Sequence, residues 1–157
     1  MKIFNQIKPE EKIAIDTNIL IYLFTRQDLK KKEIVKQIWS YFSFKCIPYQ
    51  VLKELTKVLY KKFGLTFKEI KILFELLYDE IYEIILPNEN TIFLYYKIME
   101  KYNFSFWDGY IIAKCLQSEC KYLLSEDLHN NLIVDGKLKI INPFIWHSCQ
   151  IKTNIKI

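Results

Sequence analysis

Lys12-Ile-Ala-Ile-Asp16-Thr17-Asn18-Ile-Leu-Ile-Tyr22-Leu-Phe24 sets the architecture of the chain. A short apolar run meets a single acidic residue, and a second apolar run starts directly behind it. Ile13-Ala-Ile15 has the length and side-chain type of a buried strand. Asp16 closes it, and Thr17-Asn18 opens a helix. Read outward from there, helix-like and strand-like segments alternate. Helical spacing is expected over Lys30 to Tyr41, Tyr49 to Phe63, Phe67 to Tyr78, Glu89 to Lys101 and Phe106 to Ser118. Extended pieces are expected near Phe44 to Ile47, Tyr82 to Leu86, Lys121 to Leu124 and Lys137 to Ile141. Pro48 and Gly64 bracket the second of these helices in the usual Pro-first, Gly-last order, and Asp135-Gly136 signals a turn. Strands alternating with helices imply right-handed crossovers and a mainly parallel sheet, an α/β fold.

Composition bounds the rest. A chain of 157 residues is expected to form one domain over 1–157, with about 12–144 as its core and both ends peripheral. The 51% hydrophobic and 26% charged content rules out a disordered chain, and three Gly with four Pro rule out linker-like and collagen-like classes. No apolar run approaches the roughly 20 residues needed to cross a bilayer. The first ten residues do not read as a signal peptide, so a cytoplasmic location is expected. Cys46, Cys115, Cys120 and Cys149 form no C-x-x-C pair and read as reduced core thiols. The net charge of +5 favours a polyanionic partner without specifying one.

Four acidic residues fall at positions poor for solubility alone. Asp16 ends the first strand and should face the crevice at the carboxyl edge of the sheet. Asp127 follows Tyr122-Leu-Leu124 by three residues and lies near another strand end. A helical wheel sets Glu54 on the border of the stripe formed by Val51, Leu55, Val58 and Leu59, and sets Asp108 in the middle of the face formed by Ile111, Ile112, Cys115 and Leu116, which should be buried. Each has a plain alternative. Asp16 taken singly reads first as a helix cap, Ser105-x-x-Asp108 as a capping box, Asp127 as a turn residue and Glu54 as a carboxylate facing nearby lysines. Taken together they imply more. Parallel-sheet topology can bring two strand ends and two helix faces to one place, and carboxylates gathered there need a cation. Arg26 is the only arginine in the chain, and oxygen-only ligation points to Mg2+ or Mn2+ and to phosphodiester hydrolysis.

These residues carry a resemblance. The chain resembles the PIN-domain ribonucleases, in particular the VapC-like toxins of toxin-antitoxin pairs, through Ile13-Ala-Ile-Asp-Thr-Asn-Ile-Leu-Ile-Tyr22, Gln50-Val-Leu-Lys-Glu-Leu55, Phe104-Ser-Phe-Trp-Asp-Gly-Tyr-Ile-Ile-Ala113, Leu124-Ser-Glu-Asp-Leu128 and Ile141-Asn-Pro-Phe144. The resemblance implies a three-layer sandwich of helices around a mainly parallel sheet. It also implies an acidic cluster of Asp16, Glu54, Asp108 and Asp127 holding Mg2+ or Mn2+, with Asn18 and Ser125 as polar supports. The implied activity is endonucleolytic cleavage of RNA to 5'-phosphate and 3'-hydroxyl ends. A homodimer and a small inhibitory antitoxin protein are the implied partners, with no membrane involved. Gly109 stands where such proteins more often have Ala, and lysine replaces arginine almost throughout.

Lys53, Lys57 and Lys61 form a stripe beside Glu54, and Lys30, Lys31, Lys32 and Lys36 form a second basic cluster. Either is an RNA-binding surface or a solvated helix face. Phe104, Phe106 and Trp107 suit base stacking, although burial beside Ile111 is the expectation for Trp107. His129 and His147 fit no metal spacing. Alternative readings from other classes are a non-catalytic nucleic-acid-binding or protein-binding module of the same fold and a housekeeping RNA-processing nuclease. An aspartyl-phosphate phosphatase would need a second Asp where the chain has Asn18.

Overall fold

The computed structural model describes residues 7–145. The expectations placed on His147, Cys149 and the two chain ends lie outside these residues. Strand β1 (Ile13–Ile15) is entirely buried, as its apolar triplet requires, and Asp16 caps α1 (Thr17–Phe24). Next come α2 (Leu29–Tyr41), β2 (Lys45–Pro48), α3 (Tyr49–Phe63), α4 (Phe67–Tyr78), β3 (Glu83–Ile85), α5 (Glu89–Lys101), α6 (Phe106–Gln117) and β4 (Tyr122–Leu124). A hairpin of β5 (Ile133–Val134) and β6 (Leu138–Ile141) follows.

Local chemistry fixes the boundaries. Asp28 accepts from the backbone N–H of Lys30 and Lys31 and starts α2. Lys45 buries its ammonium against the carbonyls of Trp39 and Phe42, each at 2.9 Å, where it satisfies the open C-terminal end of that helix. Gly64 ends α3 in the left-handed region at φ 70°, and Thr66 with Glu69 forms a capping box on α4. Pro48 is the last residue of β2 and precedes α3, so the expected Pro-first position holds to within one residue.

The six strands form one sheet in the order β3-β2-β1-β4-β6-β5, parallel except for β5. Among the described residues, the antiparallel β5 is the one strand that the sequence pattern missed. Its two residues are too few to carry a periodicity. From β1 the chain steps outward to β2 and β3, then returns to place β4 on the other side of β1. Right-handed crossovers therefore put α1 to α4 on one face, and the reversed step puts α5 and α6, which pack on each other, on the opposite face. The result is a three-layer α/β sandwich. The reversal between β1 and β4 opens a crevice at the carboxyl ends of these two strands, the usual ligand position in open α/β sheets.

Candidate active site

Register brings the first two site residues together. Ile15 pairs with Leu124, and the N–H of Asp16 donates to the Leu124 carbonyl at 3.0 Å, so the next residues in each strand, Asp16 and Ser125, stand side by side. The Ser125 hydroxyl donates to Asp16 Oδ2 at 2.8 Å, and the N–H of Thr17 donates to Asp16 Oδ1 at 2.7 Å. Asn18 acts as a polar hub. Its amide donates to Asp16 Oδ2 (3.1 Å), Asp127 Oδ2 (3.0 Å) and Ser125 Oγ (3.3 Å), while its carbonyl oxygen accepts from the N–H of Glu126. Asn18 and Ser125, expected as polar supports, therefore both bond to Asp16.

Helices α3 and α6 bring the other two carboxylates. Glu54 projects from α3, where Thr17 Oγ1 donates to Oε2 at 2.9 Å and Gln50 Nε2 donates to Oε1 at 3.1 Å. Asp108 lies in the first turn of α6 and exchanges bonds with Ser105: its N–H donates to Ser105 Oγ at 3.2 Å, and that hydroxyl donates to Asp108 Oδ2 at 2.7 Å. The cap and the site position coincide at this residue. All four acids line one open cleft of about 290 Å³, together with Thr17, Asn18, Gln27, Lys62, Trp107 and Ile111.

Asp16 is 8% exposed. Burial raises its pKa to about 6, against the pull of the Ser125 and Thr17 hydrogen bonds and with help from the neighbouring charges of Glu54 and Asp108. Among the described residues none of the four acids has an ion-pair partner. Nor do three Asp, Glu, His or Cys side chains among them stand close enough, as they sit, to share one ion. Glu54 and Asp108 are turned to their hydroxyl and amide donors instead. The donor chemistry nonetheless fits a hard cation, because every acidic group in the cleft is a carboxylate and the most buried one has no compensating charge.

Two expectations fail. Asp108 is half-buried, not buried, because it sits in the exposed first turn of α6. Trp107 is 68% exposed, and Phe106 beside it 76%. Among the described residues no second layer covers these rings at the start of α6, and Trp107 edges the cleft. Lys53, Lys57 and Lys61 are exposed on α3, but the lysine that reaches the cleft is Lys62. Glu54, Val58 and Lys62 repeat every four residues, so the four-residue step from Glu54 would have found it. Thr17 and Gln50 were also missed. The signals were adjacency to Asp16 and the i, i+4 spacing to Glu54. His129 is exposed and lines no part of the cleft. Cys46, Cys115 and Cys120 are buried and free.

Residues 13–130 match the family model described as "PIN domain". The chain belongs to the PIN-domain family. Among curated proteins, none matches it. Two of the solved structures with a similar fold are toxin-related. One is the Mycobacterium tuberculosis VapC20, a sarcin-ricin loop cleaving toxin, with a TM-score of 0.58 and 15% identity over 74% of this chain and 92% of that one. The other is a toxin-antitoxin complex from Klebsiella pneumoniae, with a TM-score of 0.60 and 17% identity over 84% and 98% of the two chains. The PIN match covers β1 through the loop after β4, the part of the chain that carries all four acids.

Proposed function

We propose that this PIN-domain chain is a Mg2+- or Mn2+-dependent endoribonuclease and the toxin of a toxin-antitoxin pair, formed as one domain over 1–157 with about 12–144 as its core. The observation that carries the reading is that Asp16, Glu54, Asp108 and Asp127, drawn from two strand ends and two helices, line one cleft with no cation among the described residues paired to any of them. Once Glu54 and Asp108 turn from their present hydroxyl and amide donors, Asp16, Glu54 and Asp108 would hold a first ion, and Asp127 would assist it or hold a second. A bound divalent ion supplies a water of lowered pKa and offsets charge on the attacked and leaving oxygens of a phosphodiester.

The chain's own residues do the rest. Asn18 and Ser125 fix Asp16 and Asp127 relative to one another, and Thr17 with Gln50 orients Glu54. Lys62 at the cleft, with Lys53, Lys57 and Lys61 on the outer face of α3, would bind phosphates on either side of the scissile bond as point charges. Trp107, exposed at the cleft edge, offers a face on which a base can stack. Direct attack by water, without a covalent protein intermediate, is the reaction assigned.

The likeness of fold to a toxin-antitoxin complex supports an antitoxin as partner; a homodimer and a cytoplasmic site of action belong to the same proposal. No helix among the described residues is long and apolar enough to cross a membrane. A short reading frame for a DNA-binding protein beside the gene is the expected companion; its absence would favour a housekeeping nuclease.

The test is cleavage of structured and unstructured RNAs by purified protein, with and without Mn2+. Asp16→Asn and Asp108→Asn should each slow the reaction about a hundredfold or more, the scale on which removing one preorganised electrostatic group slows an enzyme. Equal cleavage by both variants and the parent would refute the assignment. Absence of Mn2+ binding by calorimetry would leave the non-catalytic module as the correct reading.

A further inference from the structure

Glu126 stands between two site residues, Ser125 and Asp127, yet its side chain is bonded elsewhere. Oε2 accepts from the Tyr22 hydroxyl at 3.0 Å, Oε1 pairs with the Lys31 ammonium, and that ammonium donates to the same Tyr22 hydroxyl at 3.0 Å. The three groups close a ring. Aromatic rings wall it in: Lys31 Nζ lies 4.8 Å from the Phe144 centroid and 5.1 Å from that of Tyr22, and the two rings meet edge to face at 5.3 Å. The backbone of Glu126 is held as well. Its N–H donates to Asn18 Oδ1 at 3.1 Å, and its carbonyl accepts from Asn142 Nδ2 at 3.1 Å. One loop residue is therefore tied to α1, to α2 and to the segment after β6.

We propose that Glu126 is a positioning residue, clamped by Lys31 and Tyr22 so that the loop after β4 presents Ser125 to Asp16 and Asp127 to Asn18. Moving residue 126 moves both neighbours, and the bonds they make, 2.8 Å from Ser125 to Asp16 and 3.0 Å from Asn18 to Asp127, leave little slack. A fully exposed ion pair could not set a loop in this way, since it contributes between nothing and about 1 kcal/mol and is screened by salt. Here both partners are half-buried at 27% side-chain exposure and share a hydroxyl, which raises the cost of breaking the ring. Lys31 is accordingly withdrawn from the basic cluster that the sequence placed on α2. This inference rests on the reading of the acidic cleft as a metal site. Outer partners that orient ligating carboxylates commonly change metal affinity or activity about 10- to 100-fold when removed.

The experiment compares the parent with Glu126→Ala, Glu126→Gln, Lys31→Met and Tyr22→Phe in three measurements: Mn2+ titration by calorimetry, RNA cleavage resolved into kcat and KM, and thermal melting. Glu126→Ala should bind Mn2+ about tenfold more weakly and lower kcat by about 10- to 100-fold with KM within about twofold of the parent. Glu126→Gln, which keeps the shape and an acceptor, should recover most of both. If Glu126→Ala fails to fold, Lys31→Met and Tyr22→Phe carry the same expectation. A folded variant with parental Mn2+ affinity and kcat would overturn the proposal and leave the nuclease reading intact, as would an effect confined to the melting temperature. A parent that neither binds Mn2+ nor cleaves RNA overturns the reading of the cleft, and the positioning role with it.

Discussion

Asp16 holds three roles at once, and its neighbours explain why they are compatible. It ends β1, caps α1 and faces the cleft, because the first turn of a helix that follows a parallel strand directly presents its N–H groups to the same crevice as the strand end. Burial lifts its pKa from 3.8 to about 6. The unfolded chain releases this proton near pH 3.8 while the folded chain keeps it to about pH 6, so the native state binds more protons across that window and stability falls as pH rises through it. The shift corresponds to about 3 kcal/mol. Metal-free protein should therefore melt at a higher temperature at about pH 5 than at about pH 7.5. Asp16→Asn should flatten this dependence, and added Mn2+ should stabilise the parent at the higher pH and not the variant. A parent whose melting temperature is flat or rises over this range would show that Asp16 is not the group that dominates stability there.

At the scale of elements, Gly109 lies where α6 packs on α5. A Cβ on Gly109 would meet Met99 Sδ at 2.4 Å and the Tyr95 ring at an ordinary 3.5 Å, so a side chain at that point requires the flexible Met99 side chain to shift. Helix propensity taken alone makes Gly a cost of roughly 1 kcal/mol relative to Ala. Gly109→Val, which adds a branched side chain to this contact, should destabilise the fold by about 1–3 kcal/mol, read from denaturant midpoints at constant slope. An unchanged midpoint would mean that Met99 and Tyr95 move aside freely. The helices themselves were legible, each within a residue or two, because caps and apolar spacing agree along them: Asp28, Thr66, Asn88 and Ser105 all cap as their residue types favour. Trp107 was misplaced for the opposite reason. Periodicity assigns a face of a helix but cannot tell whether another layer lies over its first turn.

Across the whole molecule, acidic and basic side chains are set apart around α3. Four of the 18 acidic residues line the cleft, while Lys53, Lys57 and Lys61 stay exposed on the outer face of α3. Replacing these three lysines by Ala should weaken RNA binding and reduce the slope of log affinity against log salt by about 0.7 for each single-strand phosphate that is no longer neutralised. A slope equal to that of the parent would assign the stripe to solvation alone. Much of this molecule was fixed by sequence alone: the alternation of strands and helices, their boundaries, and four acids at strand ends and helix borders, because these depend on neighbours within about a turn or a strand length. Tertiary structure decided what depends on distant residues meeting. The reversal of strand order between β1 and β4 placed Asp16 beside Ser125, and the packing of helices around it brought Thr17 to Glu54, chose Lys62 over Lys61 for the cleft and drew Lys31 from the surface to Glu126. No local pattern encodes such meetings, since they are set by which strands pair and how closely the layers pack.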